Sequence, residues 1–503
     1  MTRGLAATET DDPHRGESCR RPRRASGVVQ ARRCARHGAR VRLLLSVLST
    51  GFCIAQAQAQ EPVLYVTEAR GNRVAAYHIK PNGCVNETPF QRIDIKISGL
   101  DCDPDEDANP RRLAVHPNGC ALYVATAGTI EVFQIRSDQD NYGRLKPFDD
   151  DADTLARMTC IKPANYQFLA VHPDGGSIYA SLTALDQIRQ YALNPDGSLQ
   201  RTFTTPADGG EPVEKDPPVA SCVQGEEDTR FQGLVVKDES LYAASHLPPQ
   251  IAIFPLTTDE GAIESVTRRP TTNDPPQVPQ VFTDCVKSRK TYAPRFSTSG
   301  KQNNLSKQFI NPKTLLLDEP NGDLLYVADR GRGRIYGCPI ADGGGLPDCP
   351  EDDKDDTNDA KDPNGTERLT MQSKKSAAYE QMALSDDGML FASVFPAGRV
   401  RAFRPVPDEG QIKRRKGKSS DVFATPVAIA ADGRNLYVAQ GELDRIDVFT
   451  INDEGFANED PRCSTEKIDG SFPNGVIVVI PCATTTTTTS TLAATTSTTI
   501  TPP

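Results

Sequence analysis

The chain of 503 residues contains no tryptophan, and aromatic residues make up only 6% of it. With so few large rings, and with 37 glycines and 39 prolines to interrupt regular structure, a continuous helical core is argued against and a chain of many turns is implied. Long apolar runs are also missing. The longest, Val41 to Ala55, falls short of the roughly 20 residues of a membrane-spanning helix. There is no CxxC pair, no GxSxG, no HExxH, no P-loop and no dinucleotide-binding glycine fingerprint. Those local signatures mark zinc centres, activated serines and phosphate cradles. Any chemistry must therefore come from residues that the fold gathers from distant segments.

What is present first is an uneven charge. Residues 1–60 carry 11 Arg against 4 acidic residues, then the apolar run and the small-residue pattern AQAQAQ, which together resemble a secretory signal with an A-x-A cleavage site. A basic region of some forty residues is long for such a signal, which is consistent with a start codon placed too far upstream. The whole chain has a net charge of 57 − 67 = −10, and without residues 1–60 it is 46 − 63 = −17. A strongly acidic exported body, secreted, periplasmic or at the cell surface, argues against nucleic acid or an anionic membrane as partner and favours a soluble monomer with no membrane span in the mature chain.

One pattern recurs along the rest. The stretch TPVAIAADGRNLYVAQGELDRIDVFTINDEG, from Thr425 to Gly455, holds three alternating apolar runs separated by turns, the sign of strands joined by hairpins. The same signature appears with anchors at Tyr65, Tyr123, Tyr179, Tyr242, Tyr326, Phe391 and Tyr437, spaced 58, 56, 63, 84, 65 and 46 residues apart. Seven copies of an all-β unit predict a seven-bladed β-propeller of four-stranded antiparallel blades over residues 61–482. The first copy begins at its second strand. The lone apolar segment FPNGVIVVIP, Phe472 to Pro481, supplies the missing one, so that a C-terminal strand closes the ring and hides its edges.

The HPNG and HPDG turns at His116 and His172, the LYVA strands, and the segments YALNPDGSL and VFTINDEG resemble the YVTN and lactonase-type seven-bladed propellers, the group that includes 6-phosphogluconolactonase-like proteins. That resemblance covers roughly residues 61–482. It implies the propeller fold, and with it either a lactone hydrolase or an exported protein that uses the disc as a scaffold.

Ten cysteines follow residue 60, an even number that fits disulfides in an exported chain. Cys338 with Cys349 and Cys463 with Cys482 are the expected pairs. Two insertions interrupt the ring, at 264–308 and 342–376. The second carries DCPEDDKDDTNDAKDPNG, which with DCDPDED at 101–107 reads first as a solvated, mobile loop, since neither has a complete EF-hand spacing, with a Ca²⁺ site on its carboxylates as the alternative. No other metal or cofactor is indicated. Residues 483–503 are Thr-rich and cannot bury a core.

Strand direction alternates within a blade, so the residues entering each first strand and the loop between the second and third strands share one face, opposite the HP turns. His116 and His172 fall on the turn face, as packing elements. The other face collects Glu68, Arg111, Arg112, Gln167, Arg230, Gln232, His246, Asp329, Arg330, Arg332 and Glu380. Arginine forks suit carboxylate or phosphate, which points to an anionic small molecule, with rim ion pairing between blades as the structural alternative. Lactone hydrolysis needs a base and an oxyanion stabiliser. Glu68 or His246 fits the first role, and Arg112 or Arg330 the second. The lactonase-type pattern places Pro-Arg-His before such a blade; here the triplet is Pro110, Arg111 and Arg112. Glu68 matches the acid that follows the Tyr-Val strand in that pattern. Two functions follow: a scaffold binding an anionic ligand or an extracellular protein or glycan, and, as the alternative, a hydrolase opening an anionic sugar or carboxylic lactone.

Overall fold

The structure, a computed structural model, describes residues 61–95; 108–148 apart from 128 and 139; 166–263 apart from 201, 205–212, 216–218, 225–229, 247–248 and 258–260; 311–346 apart from 319–321 and 332; and 370–481 apart from 373–377, 396–397, 407–410, 415–425, 459 and 468–470. The proposed signal, the acidic runs around 101–107 and 349–364, the Thr-rich tail, Arg332, and Cys102, Cys160, Cys285, Cys349 and Cys482 lie outside them.

Every copy of the repeat forms an antiparallel sheet of its own, and there are seven. The second strands, such as Val63–Glu68, Ala121–Ala125 and Leu324–Asp329, are buried along their whole length. That burial explains why they read as LYVA-like apolar runs rather than as polar–apolar alternation. Val63 and Tyr65 pack into the seam toward blade 2, whereas Leu64 and Val66 pack into the seam toward blade 7. The core is accordingly divided into seven apolar clusters, each formed by two adjacent blades. No blade can bury both faces by itself, so the ring is the folding unit.

Closure follows the expected route. Pro473–Val479 pairs antiparallel with Val63–Glu68, Ile477 opposite Tyr65, and is the first strand of blade 1. The first strands pack on one another around a complete circle, so they are the innermost elements and line the central channel. Blade 4 shows three strands among the described residues, Phe231–Lys237, Ser240–Ser245 and Gln250–Pro255. Blade 3 carries an extra hairpin, Thr202–Thr204 with Val213–Lys215, before its outer strand Val219–Gln224. The region expected as an insertion at 342–376 includes the outer strand of blade 5, Thr370–Gln372, which pairs with Arg334–Tyr336.

A polar contact stitches the seams. The anchor hydroxyls of Tyr65, Tyr123 and Tyr242 donate to the carbonyls of Gly143, Gly197 and Gly344 at 2.7, 2.7 and 2.8 Å, and Tyr179 and Tyr437 donate likewise to Gly261 and Gly83. Each acceptor sits in the turn after the third strand of the next blade. This is the physical content of the NPDG-type turn: Gly197 has φ +87°, and a Cβ there would meet Ala121 Cβ of blade 2 at 2.5 Å, so the turn needs glycine for both conformation and approach. The sixth anchor, Phe391, has no hydroxyl, and the matching Gly455 faces Met389 instead.

The expected pairing of Cys463 with Cys482 is corrected. Cys463, in the short outer strand of blade 7, is bonded to Cys84, in the third-to-fourth-strand turn of blade 1, 379 residues away. Ring closure places these two turns side by side, as the adjacent Tyr437 to Gly83 bond shows. Cys120, Cys222 and Cys338 are also disulfide-bonded. Among the described residues no helix is long and apolar enough to cross a membrane.

Candidate functional site at the channel mouth

The inner strands share an irregularity. In six blades the pairing of first with second strand slips at one level: at Gly475/Pro473, Tyr166/Phe168, Gln232/Leu234, Pro312/Thr314, Tyr379/Met382 and Pro426/Ala428. Such bulges bend a strand and re-aim a side chain, and they recur beside functional sites. The residues at or beside the slip are Asn474, Gln167, Gln232, Lys313, Glu380 and Val427; the corresponding residue of blade 2 is Arg111, whose N–H donates to the Ala125 carbonyl at 2.8 Å. Six of the seven blades thus bring a polar residue to one register position at the channel mouth, two before the apolar triplet of the inner strand, and blade 7 brings Val427. Backbones approach closely there, and a Cβ on Gly233 would lie 2.5 Å from the Lys313 carbonyl.

Lys313 and Glu380 of this set interact electrically with each other and with Arg330 and Arg112. Glu380, buried in the inner strand of blade 6, receives Lys313 Nζ from blade 5 on Oε2 and Arg330 Nε on Oε1 at 3.1 Å. Thr314 Oγ1 donates to the Glu380 carbonyl at 2.6 Å and fixes that backbone against blade 5. Arg112, on blade 2, lies over the Phe168 ring with its Cζ 4.9 Å from the centroid. Burial lowers the Arg112 guanidinium to about 10; Glu380 draws it upward and Arg111 pushes it further down. The Lys313 ammonium is also pushed down by burial, with Glu380 opposing and Arg112 and Arg330 adding to the effect. Blades 2 and 5 are not neighbours. Their cations sense each other across the channel, as groups lining one cavity do.

On the same face, several buried polar atoms have no hydrogen-bond partner among the described residues: Arg112 Nη1, Gln232 Oε1, His246 Nδ1 and Asn311 Oδ1. Buried polar atoms are nearly always bonded, because desolvation without a partner costs about 1–3 kcal/mol each. All four come from the strand-entry face, on blades 2, 4 and 5.

The other sequence candidates are placed differently. Glu68, fully buried, faces Arg73 at 2.9 Å and Arg92 at 3.4 Å within blade 1. Arg73 is its cross-strand partner, and Asp329 and Arg334 stand at the same register in blade 5. Asp329 accepts the Asn311 and Gly331 N–H groups, each at 2.9 Å, which shapes the strand entry. Arg230 is exposed, and its carbonyl receives the His246 N–H at 3.0 Å. Arg111 is half-buried, and burial lowers it. Gln167 is placed by its backbone alone, in the inner strand of blade 3. His116 Nε2 and His172 Nε2 reach backbone carbonyls of the following blades, Gly175 and Asp238, at 3.0 and 3.2 Å, as inter-blade packing elements on the turn face. An open cleft of about 350 Å³ lies on that turn face, at Asp386, Asp387, Arg434, Asn452 and Asp453, and includes none of the sequence candidates. Lys313 is the member that reading the chain missed. Its signal was its place in NPKTLLL, the same position as Glu380 in YEQMALS and Gln232 in RFQGLVV.

A seven-bladed propeller with a polar, cation-rich channel mouth is therefore the class that fold and site define. The comparisons agree at the level of fold. The structure resembles the periplasmic gluconolactonase of Pseudomonas aeruginosa, at TM-score 0.54 and 14% identity over 83% of this chain and 99% of that one. It also resembles a proposed 6-phosphogluconolactonase of Bacteroides fragilis, at 0.53 and 14% over 84% and 99%, and another of Bacteroides uniformis, at 0.52 and 16% over 84% and 100%. No protein-family model and no curated protein sequence matches the chain. The lactonase-type resemblance read from the sequence is met by the fold. The disulfide is compatible with an exported protein.

Proposed function

We propose that the protein is an exported lactonase-type hydrolase that opens an anionic sugar or carboxylic lactone at the channel mouth. The observation that carries this reading is the set of buried atoms without a partner among the described residues, Arg112 Nη1, Gln232 Oε1, His246 Nδ1 and Asn311 Oδ1, on the face that also bears the cations Lys313 and Arg330. Hydrolysis adds water across the acyl carbon–oxygen bond. His246 takes the water proton on Nδ1 as hydroxide attacks the carbonyl carbon, and returns it to the ring oxygen as that bond breaks. Arg112 Nη1 donates to the oxyanion, a role usually worth 10²–10³ in rate. Glu68, already paired with Arg73 and Arg92, serves as a structural acid in this reading. The gluconolactonase among the similar structures supports the choice of reaction.

The test is hydrolysis of a panel of sugar and carboxylic lactones by the purified, oxidised protein, with Arg112→Ala and His246→Gln alongside. Turnover lost in both variants supports the reading. Wild-type rates no faster than the uncatalysed reaction would sink it and leave the binding scaffold.

A further inference from the structure

Two cations hold a single carboxylate at the mouth, and a third cation stands on the same face. Lys313 and Arg330 both pair with Glu380, while Arg112, drawn electrostatically toward Glu380, keeps Nη1 without an acceptor among the described residues. The donor geometry is that of an oxyanion site: an ammonium and a guanidinium converge on the two oxygens of one carboxylate. Glu380 is well supported there. Its backbone is held by Thr314 Oγ1 at 2.6 Å, and with Gln381 it forms the bulge that opposes Ser393. Gln381 is itself committed, accepting the Ile429 N–H at 2.9 Å and donating its own N–H to Ser393 Oγ at 3.0 Å. Glu380 thus stands at the edge of a site that its own carboxylate fills.

We propose that Glu380 is a resident counter-anion, occupying between Lys313 and Arg330 the place that the carboxylate or phosphate of an incoming ligand takes, and so setting the affinity of the mouth for anions. A ligand oxyanion enters by displacing the Glu380 side chain from Lys313 and Arg330. Their bonds are exchanged rather than newly made, so affinity is held down while selectivity for an anion is kept. Lys313 and Arg330 are then specificity-determining residues, and Glu380 is a competitor rather than a catalytic acid. This rests on the reading that the mouth receives an anionic ligand, but not on turnover.

The experiment measures binding without reaction. D-Gluconate and inorganic phosphate are titrated calorimetrically into the full, oxidised protein, its Glu380→Gln variant and its Lys313→Ala variant, with thermal unfolding followed on each. The neutral amide of Glu380→Gln releases the cations and is expected to bind at least one of the two anions about tenfold more tightly, whereas Lys313→Ala binds about tenfold more weakly. Preference between the probes decides between carboxylate and phosphate. Equal or weaker binding by folded Glu380→Gln overturns the proposal, because Glu380 would then be positioning the cations, and so does an absence of binding by every form. Should Glu380→Gln fail to fold, Glu380→Asp, with a carboxylate one methylene shorter, must bind more tightly than wild type for the proposal to stand. Where a lactone is turned over, a resident competitor lowers KM on Glu380→Gln with kcat kept, whereas a catalytic acid would lose kcat. Anion binding without turnover keeps this inference while the hydrolase reading fails.

Discussion

Tyr65 in the first blade donates its hydroxyl to the carbonyl of Gly143 in the second at 2.7 Å, and the same bond links four further pairs of neighbouring blades. It fastens the buried second strand of one blade to the turn before the outer strand of the next. The apolar seams are thereby held in one rotational setting.

Removing one such hydroxyl leaves a buried carbonyl without its donor. Tyr123→Phe is expected to destabilise the protein by about 1–2 kcal/mol, read as a lower midpoint in urea unfolding. A loss within experimental error would show that water replaces the hydroxyl at Gly197.

The same tyrosines make the fold sensitive to alkali. Burial, chiefly, pushes the Tyr242 phenol up to about 12 and raises Tyr65, Tyr123, Tyr179 and Tyr437 further. An unfolded tyrosine ionises near 10, so above that pH the unfolded chain gives up protons that the folded one retains. Stability from Tyr242 is therefore complete below about pH 10 and lost as the pH rises through about 12. Unfolding midpoints measured across pH 9–12 should fall, and fall less steeply for Tyr242→Phe than for wild type.

The Cys84–Cys463 bridge ties the last blade to the first. Replacing both cysteines by serine is expected to cost about 2–5 kcal/mol, seen as a lower thermal midpoint. Non-reducing peptide mapping should recover Cys84 joined to Cys463, and a peptide joining Cys463 to Cys482 would contradict the closure described.

Glu68 and His246 separate stability from chemistry. Glu68→Gln weakens a buried carboxylate's pairing with two arginines and is expected to lower stability by about 3 kcal/mol with hydrolysis by the folded fraction retained. His246→Gln should lower kcat about 10²-fold with little change in the unfolding midpoint. The reverse pattern would move the base to Glu68.

Gly475 tests the closing strand. A Cβ there would meet the Arg111 carbonyl at 2.5 Å and Thr67 Oγ1 at 2.8 Å, and backbone cannot yield as a flexible side chain does. Gly475→Val should cost about 1–3 kcal/mol or more and raise susceptibility of the C-terminal strand to limited proteolysis. Wild-type resistance would indicate slack at the channel wall.

The sequence by itself determined the blade number, the closing strand, the sorting of residues between two faces and the packing role of His116 and His172. These rest on local physics, namely period-two apolar runs, turn residues with fixed offsets, and the alternation of strand direction. Tertiary structure alone decided the rest. The inner-strand bulges shift pairing by one residue, which changes the direction a side chain takes, and the apolar pattern of NPKTLLL or YEQMALS carries no mark of that shift. The charge set of Arg112, Lys313, Arg330 and Glu380 spans blades that are not neighbours and exists only once the circle is complete. Cys463 found Cys84 rather than Cys482 for the same reason: closing the ring sets turns hundreds of residues apart against one another, and nearness along the chain no longer predicts nearness in space.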